Sequence, residues 1–161
     1  MDIDPKMIRH ALAGLVTDGL VPYNVLENGG VLLELEMVRG RVDLDRNATE
    51  SEHAEAYARA LTSVLSEAVK SDEIGGKARR LLTDVLPLDA KYLDATVKDR
   101  RIAAGTDIRP GKKPVKWGTI RTYYEPKALE KIAEVLWLME LQFRQQHHTG
   151  AADLAAEHGD V

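Results

Sequence analysis

Thr49-Glu50-Ser51-Glu52-His53-Ala54-Glu55-Ala56-Tyr57-Ala58-Arg59-Ala60-Leu61-Thr62-Ser63-Val64-Leu65 declares both the start of a helix and its buried face. Thr49 followed by Glu52 is a capping box, with a hydroxyl at the N-cap and a carboxylate three residues on. Ala54, Tyr57, Ala58, Leu61, Val64, Leu65, Ala68 and Val69 then return every three or four positions, the period of a one-sided helix. The spacing predicts a helix to about Lys70, with Leu61 and Leu65 at the centre of a core.

The neighbouring segments repeat this grammar. Asp4 and Pro5 suit the N-cap and first position of a helix that runs to about Leu20 and buries Ile8, Leu12, Leu15 and Val16. Gly19 and Pro22 end it. Beyond Gly75-Gly76, a shorter helix points Ala78, Leu81, Leu82, Val85 and Leu86 inward, and Pro87 stops it. Asp89 to Ala104 is helical, continuous or in two pieces. Thr96 is placed as an internal N-cap and Gly105 as a stop. Thr119 is expected to cap a short helix to Tyr124, with a bend at Glu125. Pro126 then opens a last long helix whose stripe is Leu129, Ile132, Ala133, Leu136, Met139 and Phe143. Residues 21–47 read as one or two short helices, with a small hairpin over 23–38 as the alternative. Trp117 and Trp137 read as core-packing residues.

Composition agrees with packed helices. The chain has 161 residues, 44% hydrophobic and 30% charged, with one Phe, two Trp and five Tyr. Its core must therefore come from Leu, Val, Ile and Ala. Cysteine is absent, which excludes disulfides, thiol catalysis and Cys-ligated zinc. No apolar run approaches the ~20 residues of a membrane span. No signal peptide is evident, so a cytoplasmic location is expected. The expected fold is all-α, a compact bundle of five to seven helices. Residues 1–144 form one domain, acidic over 1–88 and basic and helix-turn-helix-like over 89–144. A flexible tail covers 145–161.

Charge is the strongest functional signal. Lys91 to Lys127 holds ten Lys and Arg against four acids, a balance of +6 in a chain of net −4. Such asymmetry points to an anionic partner or to an internal contact with acids. A helix near 96–104, a loop with Lys112, Lys113 and Lys116, and a helix start at Thr119, Arg121, Thr122 and Tyr123 follow helix-turn-helix order. Arg121 can pair with a guanine edge, Thr119, Thr122 and Tyr123 with a methyl or phosphate, and the lysines with phosphates. Arg100 and Arg101 join this candidate nucleic-acid-binding set.

Gly118-Thr119-Ile120-Arg121-Thr122, followed by Ala128-Leu129, resembles the Gly-Thr-Val-Lys/Arg-Ser recognition-helix start of sigma-factor region 4. Arg100-Arg101-Ile102-Ala103-Ala104 resembles the preceding Arg-Arg-x-Ala-Ala helix of small helical modules common in actinobacterial regulatory and signalling proteins. Thr119, Arg121, Glu125, Leu129, Ile132 and Ala133 stand where those modules carry Thr-x-Arg-x-x-x-Glu and Leu-x-x-Leu-Ala. Leu32-Leu33-x-Leu35-x-x-Val38-Arg39 resembles their opening segment. The resemblance spans about 30–136 and implies a regulatory helical module. One departure stands out: 14 residues lie between Ala104 and Thr119, against a turn of ~3–4 in a compact helix-turn-helix.

Other chemistry is poorly supported. Gly105-Thr-Asp-Ile-Arg-Pro-Gly111-Lys112-Lys113 departs from a phosphate-binding loop in three ways. Its glycines are separated by five residues instead of four, Lys113 replaces the magnesium-binding hydroxyl, and no buried strand precedes it. His10, His53, His147, His148 and His158 show no metal-ligand spacing, and Asp43 and Asp45 would share a face only on a strand. Neither a nucleophile set nor an acid–base pair has a local signature. The expectation is a non-enzymatic cytoplasmic regulator without a cofactor that contacts DNA. The alternative is a helical adaptor that docks on a partner signalling protein.

Overall fold

A computed structural model describes residues 2–158, with side chains for 2–148. Every regular element among them is helical: α1 (Pro5–Asp18), α2 (Pro22–Asn28), a 3-10 turn (Gly30–Glu34), α3 (Glu36–Arg39), α4 (Glu50–Ala68), α5 (Gly76–Val85), a 3-10 turn (Ala90–Tyr92), α6 (Val97–Asp107), α7 (Trp117–Thr119), a π turn (Ile120–Tyr124) and α8 (Glu125–His158). The last three run on without a break, so the bundle counts seven helices among the described residues.

Local chemistry sets the starts. Asp4 accepts from the Met7 N–H at 2.9 Å, Thr49 from Glu52 at 3.2 Å and Thr96 from Asp99 at 3.1 Å. Each satisfies one of the donors that a helix leaves open at its N-terminus. Gly19 closes α1 at φ 83°, a left-handed conformation that a side chain disfavours.

The core is a single cluster in which α1 packs on α8, α5 on α6 and α2 on α4. Ile8, Leu12, Leu15, Val16, Leu61 and Leu65 are fully out of water. Burying a side chain of this size contributes roughly 1.5–3 kcal/mol.

Of the two courses expected for residues 21–47, the short helices form and the hairpin over 23–38 does not. Their helical course is held by Glu140 of α8, fully buried, which accepts from the N–H groups of Glu36 (2.9 Å) and Met37 (3.0 Å) at the start of α3 and from Arg144 Nε (3.0 Å). Gly105 does not stop α6, which continues to Asp107. Pro126 does not open a new helix. The proline lacks an N–H and its ring crowds the carbonyl four residues back. Here the π turn widens the coil, the Glu125 N–H bonds the Ile120 carbonyl, and the helix passes through. Residues 145–158, within the stretch expected as a flexible tail, continue α8, and 159–161 lie outside the described residues.

Candidate nucleic-acid interface

Two of the expected contact residues belong to the interior. Arg100, on α6, is buried, because the elements around it offer open carbonyls. Its guanidinium donates to Val16 O at 2.7 Å, in the last turn of α1. It also donates to Val85 O, the last residue of α5, and to Ala95 O at 3.4 Å. A cation here satisfies carbonyls that helices leave unpaired at their C-termini. Burial, then the neighbouring Arg101 charge, lowers the Arg100 pKa from its ordinary value. Arg101 forms two hydrogen bonds with Glu125, Nε to Oε2 at 2.8 Å and Nη2 to Oε1 at 2.9 Å. Both residues are therefore removed from the candidate interface. All three nitrogens of the Arg100 guanidinium, and Nε and Nη2 of Arg101, already have partners in the fold.

The remaining set is at the surface. Lys112, Lys113 and Lys116 are exposed on the segment 108–116, and Thr119, Arg121, Thr122 and Tyr123 are exposed on the first turns of the long helical run. Among the described residues, none of Lys112, Lys113, Lys116 and Arg121 makes an ion pair. The Lys127 ammonium lies 3.9 Å from the centre of the Tyr123 ring, and its hydrogen bond lowers the tyrosine pKa. The Thr122 hydroxyl donates to Gly118 O at 2.9 Å. Thr119 is not the N-cap: the helix opens at Trp117, after Lys116.

The segment 108–116 folds back on α6. The Val115 N–H donates to Gly105 O at 3.0 Å. A Cβ on residue 105 would stand 2.1 Å from Val115 O, so only glycine admits this approach. The second helix therefore starts beside the C-terminal turn of the first, despite the long connection.

Three residues outside the expected contact set also belong to this surface. Arg109 Nη2 donates to the Tyr124 hydroxyl at 3.4 Å and ties the loop to the π turn. The Lys98 ammonium sits 5.3 Å from the ring centre of Trp117. Ile102, 46% exposed, lines a groove of about 680 Å³ with Thr106, Val115, Lys116, Trp117 and Thr122. Trp117, 37% exposed, is a surface residue and not the core anchor expected, whereas Trp137 packs against the core. No periodicity marks these residues, because loop closure brings them together.

A buried acid lies behind this surface. Asp84 of α5 is buried and its Oδ2 has no hydrogen-bond partner among the described residues. Burial first, then a hydrogen bond to Asp107 of α6 and the Asp107 charge, push its pKa up to about 8. Lys91 opposes the rise and Asp89 adds to it.

Among the described residues no group of three or more His, Cys, Asp or Glu could hold a metal ion, and no helix is long and apolar enough to cross a membrane. Comparison with protein-family models, curated proteins and solved structures gives no match.

Proposed function

We propose that this chain is a non-enzymatic, cytoplasmic regulatory protein that contacts DNA through the segment 109–116 and the first turns of the 117–158 helical run. The observation that carries the reading is the sorting of its cations. Arg100 and Arg101 are consumed inside the fold, while Lys112, Lys113, Lys116 and Arg121 stand in water with no carboxylate partner among the described residues. In this reading the lysines neutralise phosphates and set the register. Arg121 and Thr122 meet base edges, and Thr119 and Tyr123 flank them. The open N–H groups at Trp117 and Gly118 add donors for a phosphate.

A titration against random duplex DNA over a series of salt concentrations tests it. Replacing Lys112, Lys113 and Lys116 with Ala should reduce the salt slope by about 0.9 per lost contact. Arg121→Ala should weaken specific binding by ~1–3 kcal/mol while stability stays within roughly ±0.5 kcal/mol. Undetectable binding at low salt would overturn the reading.

The half-exposed Trp117 and Ile102 favour a second reading, an adaptor that docks these same helices on a partner signalling protein. Binding to that partner would survive the lysine replacements and fail on Trp117→Ala.

A further inference from the structure

The acidic part of the molecule carries a surface that the DNA reading does not use. One hollow of about 690 Å³ lies between α2 and the start of α4, walled by Val21, Pro22, Leu26 and Ala54. A second, of about 520 Å³, continues along α4 over Ala58 and Thr62 to Leu88 and Leu93. Both include Pro22 and Glu55, so they form one trough. Its α4 side runs from Glu50 to Ser66, which at 1.5 Å per residue is about 24 Å, room for about four turns of a helix.

The rim gives the trough a sign. Glu27, Glu50 and Glu55 line the first hollow, all exposed and none in an ion pair among the described residues. Arg59, in the second hollow, is the one cation among the lining residues. Tyr23 of the first hollow and Leu93 of the second leave apolar surface in water.

We infer that this trough receives an amphipathic basic helix of a partner protein, its apolar edge along α4 and its Lys or Arg flank against Glu27, Glu50 and Glu55. An apolar floor with a charged rim of this length is the geometry of helix-in-groove recognition. The chain itself does not supply such a helix. Its cation-bearing helices, among them α1 with Lys6 and Arg9, α5 with Lys77 and Arg80, and the start of α8 with Lys127 and Lys131, already turn their apolar faces into the core. Beyond Arg144 its sequence has no Lys or Arg. A second copy is thus a poor occupant. The inference stands independently of DNA binding.

The test uses the full chain and a fluorescein-labelled Leu/Lys peptide of about 15 residues, with Leu at i, i+3, i+4 and i+7. A Leu/Glu peptide of the same pattern is the control, and fluorescence anisotropy is the readout. The Leu/Lys peptide should bind at least about tenfold more tightly than the Leu/Glu peptide. Thr62→Trp, which fills the floor, should lower its affinity by a similar factor. So should the triple variant Glu27→Gln, Glu50→Gln, Glu55→Gln, whose exposed positions leave the core intact should the Trp variant misfold. DNA titrations should be unchanged in the triple variant. Equal affinity for both peptides, or Leu/Lys binding that the triple variant leaves unaltered, would overturn the inference. So would a concentration-dependent dimer, seen by sedimentation, that Thr62→Trp abolishes, since the trough would then belong to a second copy.

Discussion

Arg101 and Glu125 form a forked ion pair across the α6–α8 contact, with side chains only 12% and 8% exposed. Removing one partner strands a charge away from water. Arg101→Ala should therefore cost about 3–5 kcal/mol, whereas the double replacement Arg101→Met, Glu125→Leu should cost much less. A double-mutant cycle by urea denaturation measures the coupling. A single variant with a wild-type midpoint would show that the pair holds nothing.

Arg100 is expected to matter for folding alone. Arg100→Met leaves the Val16 and Val85 carbonyls without their donor and should destabilise by at least ~2 kcal/mol. Lysine should not rescue it, because a single ammonium cannot span two helix ends as the planar fork does. Thermal melting of the two variants side by side checks this.

Gly105→Ala gives a prediction whose sign is diagnostic. Within a helix, alanine is better than glycine by about 0.8–1 kcal/mol. Here the new Cβ meets the Val115 carbonyl at 2.1 Å, a backbone atom that cannot rotate away. The variant should lose ~1–3 kcal/mol and release the Val115 to Gly105 hydrogen bond. Faster hydrogen exchange at Val115 would report the displaced loop.

Asp84 should make stability fall as pH rises. Its folded pKa is about 8, against ~3.9 in an unfolded chain. Between these values the folded state keeps a proton that the unfolded state has released. The contribution is complete below about pH 4 and is lost as pH climbs through about 8. Asp84→Asn should be flatter than wild type over this window and gain on it towards alkaline pH. Urea midpoints at pH 5, 6.5 and 8 give the difference. Parallel curves would show that Asp84 ionises normally.

Residues that act within one helical turn were legible in the chain alone. Asp4, Thr49 and Thr96 cap because a side-chain oxygen meets an N–H three positions on. Leu12, Leu61 and Leu65 are core because their spacing fixes one face. The exposed lysines at 112, 113 and 116 were legible too, since a loop with two prolines buries little. Tertiary structure alone separated Arg100 and Arg101 from Arg121. All three carry the same charge, and what distinguishes them is the carbonyls of α1 and α5 and the carboxylate of Glu125 that reach the first two. It also decided the course of 30–39, which Glu140 caps from about a hundred residues away, and the passage of the helix through Pro126. Caps and stripes are set by neighbours along the chain. The burial of a charge is set by whichever distant element supplies its partner, and that element's position follows from the packing of the whole core.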